Sequence, residues 1–413
     1  MENIIKQHLG LSHVSITSIE TNPDGSIEIT VKSTLKEAHC HRCHQIITRF
    51  YDYDRLLRLR HLPILGQPVF IKVRLPRYQC DHCDKKPKTT QRPEWHKKNS
   101  SFTVPYESQV LLSAINSTET DVGRKEGLTE EQVKGIVNRY IGQQIDWSTL
   151  DSLPVLGIDE ISLRKGHQSF IVVITCKHQG HLRLIALLNS RKKEAVTAFL
   201  KTIPEHLKQT LRWVCSDMYE GYINASKVVF GPQVRVVIDR FHVAKLYRKQ
   251  LDTLRKQELK RLKLCLSVVE YRLLKGAMWA LRRSPQDLTD NDKQVLDRLF
   301  RHSGALEQAC HYCAQLTQIF DDAVSRASGA RRLKSWIRQV ETSRLTCFST
   351  FIKTLRHHFD EIAHYFVSRQ SSGFVEGLNN KIKVIKRRCY GIFRLDHLFQ
   401  RITLDIQGYA MLK

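Results

Sequence analysis

The order of elements between residues 153 and 245 constrains the fold most. "LPVLGIDEISLRKG" (153–166) reads as a strand ending in Asp159. "QSFIVVITCKHQGHLRLIALLNS" (168–190) reads as a hairpin turned at Gln179-Gly180. "RKKEAVTAFLKTIPEHL" (191–207) has the spacing of an amphipathic helix. "LRWVCSDMYEGY" (211–222) is a strand ending at Asp217, followed by a short helix. "QVRVVIDRFHVAK" (233–245) carries a last strand, ending at Asp239. The pattern is an antiparallel meander extended by two strands, each preceded by a helix.

This is the RNase H-like order, and it makes the first and fourth strands neighbours. Asp159 and Asp217 are then expected side by side. Two adjacent carboxylates suit Mg²⁺ (or Mn²⁺), since hard cations take oxygen ligands and complete their shell with phosphate oxygens. Two such ions can serve both the attacking and leaving oxygens of a phosphoryl transfer. A single Asp taken alone reads as a helix cap or surface acid. Two at matching places on one sheet argue for more.

Charge points to the partner. The 413 residues hold 66 Lys+Arg against 41 Asp+Glu, a net +25 spread along the chain. Nucleic acid is the simplest partner for that field, because phosphate neutralisation supplies most of its affinity. A membrane surface ranks below it, for want of a basic amphipathic anchor or a lipidation motif. The longest apolar runs are a few residues, such as "FIVVI" (170–174), too short to span a bilayer. Met1 to Leu11 lacks the basic start and apolar run of a signal peptide, so a cytoplasmic setting is expected. Hydrophobic residues make up 41%, enough for a sizeable core, and the length allows several domains.

The 11 cysteines are an odd number and suit a reducing compartment better than disulfides. "HCHRCH" carries Cys40 and Cys43, and "YQCDHCD" carries Cys80 and Cys83. Two CxxC pairs match a structural Zn²⁺ site closed by four thiolates. The gap between them is long for a zinc ribbon. It contains "PVFIKVRLPRYQC", which alternates apolar and basic residues through Phe70, Lys72 and Arg74, so an enlarged β-hairpin is expected. His41, His44 or His82 could replace a thiolate, and unrelated buried cysteines are the bland alternative. Cys310 and Cys313 lie inside helical periodicity without a partner pair and read as buried helix cysteines.

Between these regions, "YESQVLLSAIN" and "STETDVGRKEGLTEEQVKGIVNRYI" (117–141) read as three helices. Thr129 to Gln132 forms a capping box after the Gly127 turn. Val133, Ile136 and Val137 give the last helix an apolar face, leaving Lys134, Asn138 and Arg139 for the major groove or phosphates. Helix, glycine turn, capped helix is the helix-turn-helix pattern, which an ordinary helical hairpin shares.

From Tyr247 to about Ser368 the pattern is helical and basic, with breaks expected at Ser284-Pro285 and near Gly304 and Gly329. "SSGFVEGLNNKIKVIKRR" (371–388) follows. Leu378, Ile382 and Ile385 make an apolar stripe. Glu376, Asn379, Asn380, Lys383 and Arg387 lie on another face, and Gly377 permits close approach.

Together "GIDE", "SDM", "DRFHV" and "EGLNNKIKVIKRRCYG" resemble the DDE transposases of bacterial insertion sequences, specifically the ISL-three family. The resemblance covers nearly the whole chain, including "LRHLPILGQPVFIKVRLPRYQCDHC" (59–83). Where family fingers often read CxxCG, His44 and Asp84 follow here. The resemblance implies the catalytic, metal-holding triad Asp159, Asp217 and Glu376. Asp239 competes with Asp217, which is preferred because it ends the fourth strand. Asn379, Asn380, Lys383, Lys386 and Arg387 would position the DNA backbone, with support of the metal's own ligands the open alternative for the two asparagines.

The implied protein is multidomain α/β. It has a zinc-finger domain (1–95), a helix-turn-helix (100–148) and an RNase H-like core (150–246 and 369–413) interrupted by an all-helical insertion (247–368). It would bind double-stranded DNA, both element ends and target, as a homodimer or larger assembly at the bacterial nucleoid. It would cut and join that DNA with Mg²⁺. A domesticated DNA-binding regulator and an RNase H-like nuclease are the rival readings.

Overall fold

The computed structural model describes residue 5 and residues 9–162, 170–283, 285–343, 345–369, 373–389, 391 and 394–412, and the side chains of 285 and 373–376 fall outside that description. The chain divides into two compact units, Met1–Gly142 with Thr403–Lys413, and Gln143–Ile402.

In the first unit, β1 (Val14–Thr21), β2 (Ile27–Ser33), β5 (Arg49–Ile64) and β6 (Gln67–Gln79) form a sheet in the order β1-β2-β6-β5, with β7 (Lys88–Thr90) added to β6. The long β5–β6 pair is the expected hairpin. Its turn residues Leu65 and Gly66 both have positive φ (49° and 80°), as a tight two-residue hairpin turn requires. Alternation along β6 buries Val69, Ile71 and Val73, which meet Ile29, Val31 and Leu59 in a small core. A short pair, β3 (Ala38–His39) and β4 (Ile46–Ile47), carries the first CxxC.

Three helices follow, Val104–Ala114, Glu119–Glu126 and Glu130–Tyr140. Tyr106, Val110, Leu111, Val122, Val133, Ile136 and Val137 fill their core, joined by Leu404 from the last helix, Leu395–Met411. Asp405 accepts from the Asn116 backbone N–H at 2.9 Å. The stretch 403–413, expected with the core, therefore belongs to this unit, because the apolar face of its helix is covered here. Gly127 ends the second helix in the left-handed region (φ 66°), and Thr129 and Gln132 form the reciprocal capping box.

In the second unit, β8 (Val155–Ser162), β9 (Phe170–His178), β10 (His181–Leu188), β11 (Trp213–Ser216) and β12 (Arg235–Ile238) form a sheet in the order β10-β9-β8-β11-β12. β8 pairs antiparallel with β9 and parallel with β11, so the first and fourth strands are neighbours as expected. One expectation is corrected. β8 does not end at Asp159 but runs to Ser162, because the hairpin ladder continues through Glu160↔Val172, Ile161↔Ile171 and Ser162↔Phe170.

β12 stops at Ile238. Asp239 then caps the helix Arg240–Cys265, accepting from the Phe241 N–H at 3.1 Å. The expected border at 246/247 falls inside that continuous helix, whose Val243, Tyr247 and Leu251 share a buried face. The helical region closes around Trp336, which meets Tyr312, Phe348 and Phe351. Gly304 opens a helix, whereas Gly329 lies inside one, Arg326–Thr342. The break expected near it falls at 322–325, and Gly329 itself serves contact: a Cβ there would sit 2.4 Å from the Phe366 ring. Ser284 falls outside the described residues. Among the described residues no helix is long and apolar enough to cross a membrane.

Candidate active site and cysteine cluster

Asp159 sits at the centre of the second sheet. Register sets its neighbour: Ile158 on β8 pairs with Ser216 on β11, so Asp217 follows level with Asp159. Asp159 is 9% exposed. Its Oδ1 accepts from the Glu160 N–H at 2.8 Å, and its Oδ2 accepts from Asn379 Nδ2 at 2.7 Å. Burial pushes the Asp159 carboxyl above the usual range, and the Asp217 charge adds to that. The Glu160 and Asn379 hydrogen bonds and the charge of His242 pull the other way. Such a carboxylate gains most from a cation. Asp217 is half-buried, and its Oδ1 accepts from the Tyr219 N–H at 2.9 Å. Asp239 is 2% exposed and spends Oδ1 on its helix cap.

The helix Gly373–Arg388 lies along β8. Leu378, Ile382 and Ile385 are buried, as the apolar stripe predicts. Asn379 is also buried, at 6% exposed, so its amide is turned to Asp159 and away from solvent. Its Oδ1 has no hydrogen-bond partner among the described residues. Lys386 Nζ donates to the Ser162 carbonyl at 2.9 Å. Asn380, Lys383 and Arg387 are exposed. A Cβ at Gly377 would meet nothing within 4 Å among the described residues. Glu376 belongs to this helix, one turn before Asn379, and its side chain lies outside the described residues. His242, in "DRFHV", acts on Asp159 through space, and no local spacing in the sequence marks it.

The four cysteines converge. Cys40, Cys43, Cys80 and Cys83 place their sulfurs within 4.8 Å of one another. Cys40 and Cys83 are 3.9 Å apart, and Cys43 and Cys80 are 3.7 Å apart. Tetrahedral Zn²⁺ with bonds of about 2.3 Å sets sulfurs roughly 3.8 Å apart, so the cluster fits the ion. The histidine alternatives are not taken up: His41 Nδ1 pairs with Thr89 Oγ1 at 2.9 Å, and neither His44 nor His82 joins the group. His44 adopts φ 57°, a left-handed conformation that glycine takes without strain, and its N–H reaches the Cys40 carbonyl. The turn is thus kept with histidine in the glycine place. Cys310 and Cys313 lie on the helix Gly304–Asp321, with Cys313 buried, and burial pushes the Cys310 thiol up to about 12.

The three-helix group uses its cations unevenly. Arg139 pairs at 2.5 Å with Glu107, which is fully buried and also accepts from Ser100 and Tyr140. Arg139 therefore neutralises an interior acid. Lys134 is half-buried and Asn138 exposed.

The structure thus holds two features, adjacent acids on a mixed α/β sheet and a four-cysteine cluster that fits a structural metal. A family model described as a transposase of the DDE type, ISL-three, matches residues 156–402. A second, described as the zinc-finger of transposase IS204/IS1001/IS1096/IS1165, matches residues 36–83. The chain belongs to the ISL-three family of insertion-sequence transposases. It is 26% identical over 394 residues to the transposase for insertion sequence element IS1001 of Bordetella parapertussis, covering 94% of each chain. It is 22% identical over 399 residues to the transposase for IS1557 of Mycobacterium tuberculosis, covering 91% of this chain and 87% of that one.

Proposed function

We propose that this chain cuts and joins DNA at the ends of an insertion sequence, with Asp159, Asp217 and Glu376 as its metal-holding triad. The observation that carries the reading is the placement of Asp159 level with Asp217 on parallel neighbouring strands, under the helix that contains Glu376. Position 376 precedes Asn379 by three residues, so the two share a helix face.

The donor set fits Mg²⁺ or Mn²⁺: neighbouring carboxylates, one of them raised by burial. When bound, such an ion activates the attacking oxygen and stabilises the leaving one. The chain's own residues do the rest. Glu160 N–H and Asn379 Nδ2 fix both oxygens of Asp159 before any substrate arrives. Asn379 is thereby a positioning residue, and Asn380, Lys383 and Arg387 are left to hold phosphates. Asp239 is a helix cap beside the site.

In this reading the second sheet is an RNase H-like core, the helical region that begins with the helix Arg240–Cys265 is its insertion, and 369–402 is the return segment. The helices within 100–148 are a helix-turn-helix, and residues 1–95 form a zinc-finger domain. These two regions recognise terminal inverted repeats on double-stranded DNA. Joining two ends calls for at least a dimer, working at the bacterial nucleoid.

An end-cleavage and strand-transfer assay with Mg²⁺ tests the proposal. Asp159→Asn, Asp217→Asn and Glu376→Gln should each abolish both steps while DNA binding persists. Full activity in any of them sinks the triad. Cleavage without joining would point to a nuclease, and binding without either step to a regulator.

A further inference from the structure

We propose a third metal site, for a transition-metal cation of the zinc type, formed by Glu220, His357 and His358. It uses none of the triad acids and none of the finger cysteines. His357 Nε2 lies 2.6 Å from Glu220 Oε1, and His358 Nε2 lies 3.8 Å from the same oxygen. All three ligand atoms fall within 4.8 Å of one another. Tetrahedral zinc with nitrogen and oxygen bonds of about 2.0–2.2 Å needs ligands roughly 3.3 Å apart, and the two distances straddle that value.

The backbone is arranged for convergence. Successive residues of a regular helix point in different directions, so adjacent histidines do not normally face one target. Here the helix Ser349–His357 ends at His357, and His358 leaves helical geometry (φ −106°, ψ 28°) before Phe359–Ala363 resumes. That break sets the two rings edge-to-face with centroids 4.6 Å apart. Glu220 opens the helix Glu220–Phe230, and its other oxygen accepts from Asn224 Nδ2 at 3.0 Å. The carboxylate is thus oriented by an outer partner, as in metal sites generally. Lys227, on the same helix, is taken by Glu361 at 2.5 Å and leaves Glu220 to the histidines. His358 is buried at 7% exposed, and burial lowers its pKa, favouring the neutral ring a cation requires. A shared proton suffices to hold His357 to Glu220, and a divalent cation would use the same atoms.

The site would staple the helix that starts three residues after Asp217 to the last part of the helical region. Three protein ligands leave a fourth position for water, and imidazole with carboxylate suits zinc.

The test uses the full chain, dialysed against limiting Zn²⁺ with Mg²⁺ in excess, and counts zinc per chain by elemental analysis. Wild type should hold a second zinc beyond the cysteine-bound one. Glu220→Gln, and separately His357→Ala with His358→Ala, should lose that zinc while circular dichroism stays unchanged. Asp159→Asn should keep both. Co²⁺ substitution should add ligand-field bands without thiolate charge transfer, and these should vanish in the same variants. Zinc should raise the melting temperature of wild type more than that of Glu220→Gln. One zinc in wild type, or equal zinc in wild type and both variants, overturns the proposal.

Discussion

Asn379 Nδ2 donates to Asp159 Oδ2 across 2.7 Å, joining two buried residues 220 positions apart. The bond ties the helix of Glu376 to the central strand of the five-stranded sheet β10-β9-β8-β11-β12. Asn379→Ala should lower end cleavage about 10- to 100-fold, the usual cost of removing an outer partner of a metal-holding group. It should also raise the Mg²⁺ needed for half-maximal rate and leave DNA affinity unchanged. A loss of affinity with unchanged Mg²⁺ dependence would instead make Asn379 a DNA contact.

Cysteine loss should act on the 36–83 region. Four thiolates with sulfurs 3.7 and 3.9 Å apart leave little local core besides Ala38, Ile47 and Tyr78. Structural zinc is worth about 10 kcal/mol or more in small modules. Chelation, or Cys43→Ser, should therefore unfold this region, read as new proteolytic cleavage between the CxxC pairs. Wild-type protease resistance in the zinc-free protein would exclude a structural role.

Arg139 should behave as an interior partner. Removing it leaves Glu107, fully buried, with Ser100 and Tyr140 as its remaining donors. Arg139→Ala should cost about 3 kcal/mol, the low end for breaking a buried pair. Asn138→Ala should cost little stability and weaken DNA binding. Thermal melts and binding assays on the two variants separate these effects.

His61 gives the first unit an acid limit. It is 3% exposed, pairs with Thr103 Oγ1 at 2.8 Å and contacts the Leu9 carbonyl at 3.0 Å. Burial lowers its pKa from 6.5. A neutral buried histidine binds its proton more weakly folded than unfolded, so its contribution is whole above about pH 6.5 and is lost as pH falls through the folded value. His61→Gln should flatten the fall in melting temperature below that pH. An unchanged pH profile would remove His61 from the account.

Much of the site was legible because it is encoded locally. Asp159 and Asp217 were found from strand order, and the cysteines from spacing. The partners of Arg139 and Asn379 were not legible, for one shared reason. Both sit among exposed polar residues on their helices, and nothing local marks the buried acid that each one meets. The break expected near Gly329 falls at 322–325, but nothing local marks the Phe366 ring that Gly329 meets.

The sequence by itself determined which elements form and which acids are candidates, since periodicity, capping and ligand spacing act over a few residues. It was enough for the parallel neighbours β8 and β11, which follow from connection rules. Tertiary structure alone decided which partner each polar group takes. Desolvation makes an interior acid demand a donor, and that donor can come from any distance along the chain. Asp159 finds Asn379 and Glu107 finds Arg139, while at the surface Glu220 meets two histidines that a broken helix turns toward it.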